Sequence, residues 1–190
     1  MQAPANPATS AGGSPATAVR DAFRDLHATR LHAFALLITL GDGRAAARLA
    51  TDALAAGAAN AADLRHPERA AAWLRMRVVR KAGARHRSTE LEASARLDTL
   101  SELDVDQLTL AGLAALRPRE RAALVATMVE RLDLRDVATI VGRNGAQLDA
   151  MLRRARRAYA ARHAEESAGA EPPSGPIIDR IRDVAARAMA

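Results

Sequence analysis

No cysteine occurs in this chain of 190 residues, which closes off disulfide frameworks, thiolate chemistry and cysteine-ligated zinc. Aromatic side chains are almost as scarce: Phe23, Phe34, Trp73 and Tyr159 are all there are. So thin a supply of large side chains predicts a modest apolar core, with part of the stability left to a partner. Lysine is represented by Lys81 alone, so arginine carries the positive charge. Runs of alternating β-branched residues are missing, which argues against strands. The longest largely apolar run, Ala33 to Leu40, is far short of the roughly 20 residues a membrane span requires, and the N-terminus has no signal-peptide pattern. The expectation is a soluble, cytoplasmic protein without membrane insertion.

What the chain does have is alanine, leucine and arginine, so helix propensity is high nearly everywhere. The predicted fold class is all-α: two small helical domains joined by an acidic linker, the second a helix-turn-helix. The net charge of +6 is unevenly placed. Residues 67–87 carry +6, residues 88–110 carry −5 and residues 111–163 carry +6. Two basic blocks flank an acidic connector, and concentrated positive charge is what a polyanion requires; the plainer alternative is a set of solvated arginine faces.

Residues 1–17, rich in Pro, Ala, Gly, Ser and Thr, are expected to be a disordered tail. The first helical domain spans 18–87. Phe23, Leu26, Leu31, Phe34 and Leu37 space as a buried stripe, Gly41-Asp42-Gly43 breaks it, and a second helix runs from Ala45 to Leu54 before a loop at Gly57 to Asp63. A third helix follows Pro67 and is amphipathic and strongly basic. Residues 88–108 form the acidic linker and 109–163 the second domain, with Pro118 opening a helix at its first position. Residues 164–190 read as a polar linker, Glu165 to Gly175, and a short amphipathic helix marked by Ile177, Ile178, Ile181, Val184 and Ala188.

The most telling stretch lies between Leu132 and Arg157. Val137, Ala138 and Val141 give a short helix one apolar face, and Gly142 is free to take the left-handed conformation that ends it. Asn144 then caps a second helix, with Gln147 placed to reach back. Leu148, Leu152, Ala155 and Tyr159 recur at helical spacing as an inward stripe, leaving Arg153, Arg154, Arg156 and Arg157 outward.

On these residues the chain resembles the sigma-70 family of bacterial RNA polymerase sigma factors, in its small extracytoplasmic-function type, over roughly Val19 to His163. Leu116-Arg-Pro-Arg-Glu-Arg121 is similar to the family's Leu-Pro-x-Arg-x-Arg helix start, and Val137-Ala138, Gly142, Leu152 and Arg154-Ala155-Arg156 fall into register behind it without gaps. Ala72-Trp73-Leu74-Arg75 and the basic residues after it resemble the helix that reads the minus-10 promoter element. The resemblance implies promoter DNA and RNA polymerase core as partners, with an anti-sigma factor as a further one. It implies minus-35-like contacts from Arg143, Asn144, Gln147, Met151, Arg153, Arg154, Arg156 and Arg157. Minus-10-like contacts would come from Trp73, Arg75, Arg77, Arg80, Lys81, Arg85 and Arg87, and polymerase contacts from Asp42, Arg48, Thr51 and Asp52. Positive charge tracking a backbone and flat side chains for stacking suit an opened strand. Trp73 has a second reading as a packing anchor, which a lone tryptophan among alanines favours.

The chain departs from the family at working positions. In the Gly-Asp-x-x-x-Ala-Glu-Asp-Leu-Val-Gln pattern, Gly41, Asp42, Ala46 and Leu49 match, while Ala47, Arg48 and Thr51 replace Glu, Asp and Gln. An acid-to-arginine change at a complementary contact costs on the order of several kcal/mol. In the base-reading segment, Ala146-Gln-Leu-Asp-Ala-Met-Leu152 stands where the family has Gly-Thr-Val-Lys-Ser-Arg-Leu. Gln147 can pair with adenine, but Asp149 faces phosphates with the wrong sign. Positioning on DNA without strong sequence specificity is expected. A degenerate DNA-binding or polymerase-interacting regulator is the alternative. An enzyme is not expected: His27, His32, His66, His86 and His163 show no metal-ligand spacing, there is no Walker loop, Gly-x-Gly-x-x-Gly turn or nucleophile elbow, and neither metal nor cofactor is indicated.

Overall fold

Spacing of apolar residues by three and four decides the architecture, because nearly every segment with that period forms a helix. The computed structural model describes residues 15–61, 64, 66–84, 98–100, 103 and 105–169. Among them there is no strand; residues 98–100 are helical, and the longer helices are α1 Pro15–Thr39, α2 Gly43–Ala59, α3 Pro67–Ala84, α4 Gln107–Ala114, α5 Pro118–Met128, α6 Leu134–Val141 and α7 Gly145–Gly169. No described helix is long and apolar enough to cross a membrane.

Helix α1 buries Phe23, His27, Leu31, Phe34 and Ile38, a single stripe at steps of three and four. Leu26, expected in that stripe, is 61% exposed because His27 takes the inward position beside it. The expected tail overlaps the start of α1, since residues 15–17 are already helical; residues 1–14 lie outside the described set. Leu40 and Gly41 both turn left-handed, with φ of 57° and 80°, and Asp42 then caps α2 by accepting the Ala45 N–H at 2.8 Å.

Helix α2 extends to Ala59, three residues into the segment expected as a loop from Gly57 to Asp63, and Asn60 and Ala61 then turn. Gly57 is buried inside α2, and a Cβ there would lie 2.8 Å from the Phe23 ring and 2.9 Å from Leu74. It acts as a point of close approach for α1 and α3, not as a helix breaker. Near the other end of the chain, Asp106 caps α4 through the Thr109 N–H at 2.7 Å, so that helix begins inside the expected linker. Residues 165–169, expected as linker, stay in α7, and the expected C-terminal helix lies outside the described residues.

Helices α1, α2 and α3 pack on one another, as do α4 to α7. The two groups also meet: α3 lies on α6, and both α1 and α3 touch α5. One apolar cluster runs through both, from Phe23 to Ala155. Two arginines bolt the groups together. Arg121, 1% exposed, donates from Nε to the Leu113 carbonyl at 2.9 Å, from Nη2 to the Leu116 carbonyl at 2.9 Å, and from Nη1 to the carbonyl of Ile38 in α1. Arg75 of α3, 5% exposed, holds Glu130 bidentately, with Nε to Oε2 at 2.7 Å and Nη2 to Oε1.

Candidate nucleic-acid interface

The frame around Gly142 forms as its local chemistry dictates. Val137, Ile140 and Val141 of α6 are buried, and Gly142 ends the helix at φ 64° and ψ 50°. The Arg143 N–H returns to the Ala138 carbonyl at 3.0 Å and the Gly142 N–H to Thr139 at 3.3 Å, which satisfies carbonyls that the helix end would otherwise orphan. Asn144 and Gln147 then cap α7 reciprocally: Asn144 Oδ1 accepts the Gln147 N–H at 3.0 Å, and Gln147 Oε1 accepts the Asn144 N–H at 3.5 Å. Leu148, Leu152 and Ala155 are buried and Tyr159 is half-buried, forming the expected inward stripe.

Outward from this frame stand Arg143, Asn144, Gln147, Arg153, Arg154, Arg156 and Arg157, all exposed. Arg154 lies 3.7 Å from Glu120, a loose pairing at the surface. Met151 departs from its expected role as a base contact. It is 5% exposed, because it lies three residues after Leu148 and shares the buried stripe. Asp149 is exposed among the arginines, where it subtracts from the local positive potential.

The basic helix α3 is divided by burial. Arg80 is exposed, and Arg77 lies with its guanidinium 4.9 Å from the centre of the Trp73 ring. Trp73 is half-buried and packs against the apolar cluster, so it anchors α3 while leaving one part of its ring to Arg77. Lys81 pairs with Asp52 at 2.8 Å, which joins a residue expected to touch DNA to one expected to touch polymerase. Arg75 is turned inward to Glu130 and stands 5.5 Å from the Phe34 ring, so in this packed arrangement it is withheld from any nucleic acid. Arg85 and Arg87 lie outside the described residues.

On α2, Arg48, Thr51 and Asp52 are exposed together on one face, as steps of three and four require. Asp42 is half-buried and its carboxylate is engaged as the α2 cap. Among the described residues no group of histidines and carboxylates is placed to hold a metal.

The residues missed from sequence are Arg121 and Glu130. Glu130 is set just past the end of α5, where its own N–H returns to the Val125 carbonyl at 3.1 Å. Nothing in local spacing marks it as the partner of a residue 55 positions earlier. No family model, curated protein or solved structure matches this chain.

Proposed function

We propose that this chain is a sigma-70-like transcription initiation factor of the extracytoplasmic-function type, binding promoter DNA and core RNA polymerase in the cytoplasm. The observation that carries the reading is the α6–Gly142–α7 unit, two helices joined through the left-handed Gly142, with the second helix capped by Asn144 and exposed arginines behind the cap, which we read as a helix-turn-helix. In such a unit the N-terminal turn of the second helix enters the major groove. Gln147 is the side chain with a two-point match to adenine, while Arg153, Arg154 and Arg157 fix the backbone. Helix α3 would supply Arg77, Arg80 and part of Trp73 to an opened strand, and the exposed face of α2 would meet polymerase. The chemistry is binding and strand separation, with no covalent step.

Minus-35 and minus-10 elements are about 25 base pairs apart, or about 85 Å of duplex at ~3.4 Å per pair. A packed body of this size is about 40 Å across. Initiation therefore requires the two helical groups to part, which frees Arg75 from Glu130 and Arg121 from Ile38. The stretch between Ala84 and Gln107 has the reach for this, about 75 Å at full extension. Pull-down with core polymerase and run-off transcription across genomic fragments test the reading, and a complete lack of transcripts sinks it. Duplex affinity should fall steeply with salt, and Arg153→Ala or Arg157→Ala should each flatten the log–log slope by about 0.9.

A second reading, a degenerate regulator that binds DNA, polymerase or an anti-sigma protein without initiating, is favoured by one observation: Arg48 is exposed on the α2 face where the family carries acid. Arg48→Asp together with Asp149→Lys should then create transcription. If the double variant gains nothing, erosion at these positions is not the cause.

A further inference from the structure

The two helical groups do not close on each other completely, and a cleft of about 790 Å3 lies between them. Its deep wall is apolar and buried: Phe34 and Leu37 from α1, Leu124 and Val125 from α5. Its exposed edge combines Met128 and Val129, 60% and 64% exposed, with Arg30 of α1 and Arg156 of α7. Small-molecule sites have this size and make-up, an apolar body with a few charged groups, and they favour the seam between packed units.

The charge of the lining is unbalanced. Among the described residues the one carboxylate in the lining, Glu130, is already held by Arg75, and neither Arg30 nor Arg156 has an ion pair or side-chain hydrogen bond. Among the described lining residues, three arginines and one glutamate leave two positive charges in excess. An occupant that removes apolar surface from water and supplies an anion to free guanidinium groups answers both features. The segment 176–190 answers the first, but its two carboxylates, Asp179 and Asp183, are outnumbered by Arg180, Arg182 and Arg187, so seating it would add positive charge to the cleft rather than offset it.

We propose that the cleft binds an amphipathic organic anion of the long-chain carboxylate class. The hydrocarbon chain lies on Phe34, Leu37, Leu124 and Val125, and the carboxylate meets Arg30 and Arg156. Because the walls come from both helical groups, the bound molecule stabilises the packed arrangement by mass action. If the chain acts as proposed above, the ligand holds the factor in its closed form; that consequence rests on the functional reading, whereas binding does not.

The test is titration calorimetry of the full chain with dodecanoate, in the absence of DNA and polymerase, so that its failure leaves the functional reading untouched. One dodecanoate should bind per chain, and dodecanol and acetate, which lack the head or the tail, should bind at least tenfold more weakly. The exposed pair Arg30→Gln and Arg156→Gln should lower dodecanoate affinity at least tenfold with circular dichroism unchanged. Ala33→Trp, which fills the cleft from α1, should abolish binding. The proposal is overturned if dodecanoate does not bind, if dodecanol binds equally well, or if the arginine pair is without effect. It is also overturned if Ile181→Asp in the full chain raises affinity tenfold, because the C-terminal segment would then be the occupant.

Discussion

Replacing Arg121 by methionine should remove a substantial part of the stability of this protein. The side chain is 1% exposed, and its guanidinium donates to the carbonyls of Ile38, Leu113 and Leu116. The Leu113 carbonyl also accepts the Leu116 N–H at 3.1 Å and so keeps a partner without the arginine. Ile38 and Leu116 depend on Arg121 more heavily. An orphaned buried carbonyl costs about 1–3 kcal/mol, and the loss of charge-assisted bonds is of similar size, so the substitution should cost about 4 kcal/mol in all. Set against a typical stability of about 5–15 kcal/mol, that is a large fraction. Methionine fills similar space, so a cavity contributes little to the difference.

Arg121→Lys is the sharper variant. It retains charge, but a single ammonium on a flexible stem cannot reproduce a planar fork aimed at carbonyls in α1, α4 and the α4–α5 turn. It should rescue less than half of the loss. Urea unfolding followed by far-ultraviolet circular dichroism measures both variants. A loss below about 1 kcal/mol for Arg121→Met, or a lysine variant as stable as the parent, would refute the reasoning.

The Arg75–Glu130 pair should show a coupling energy of about 2–3 kcal/mol in a double-mutant cycle with alanine, since both partners are largely withdrawn from water; a coupling below about 0.5 kcal/mol would mean that the pair does not join the helical groups. His27 has its pKa pushed below the ordinary 6.5, first by burial and then by the Arg75 charge. The unfolded chain therefore takes up the proton first as pH falls. The stability contribution is present above the unfolded value of about 6.5 and is lost as pH falls below it toward the lower folded value, so the unfolding midpoint should decline as pH drops through about 6.5, and His27→Gln should flatten that decline. Gly112→Ala would place a Cβ 2.6 Å from the Tyr159 ring and should cost about 1–3 kcal/mol through overpacking between α4 and α7, with partial recovery when Tyr159→Leu is added; thermal melts of the single and double variants check this.

Local chemistry was the legible part of this chain. Gly142, the Asn144–Gln147 exchange and the Leu148–Ala155 stripe involve residues within a few positions of one another, and spacing is enough to place them. Met151 was equally open to that logic, since it lies one helical step from Leu148, but its family counterpart is a DNA contact and the resemblance outweighed the period. Gly57 was misread for a different reason: a glycine in a helix signals a break only when nothing approaches it, and Phe23 and Leu74 approach it from distant helices. The arginines were least legible. In a chain with arginine on almost every helix, Arg121 and Arg75 look like any solvated side chain, and only their partners at Ile38 and Glu130, 83 and 55 positions away, set them apart.

The scarcity of aromatic residues has a practical outcome. Trp73, the sole tryptophan, stands on α3 in one helical group, and Tyr159, the sole tyrosine, stands on α7 in the other. Tyrosine emission overlaps tryptophan absorption, and energy transfer between them falls with the sixth power of their separation. The chain thus contains its own optical ruler across the seam that Arg75 and Arg121 fasten. Parting of the two groups would register as recovered tyrosine emission without any label attached.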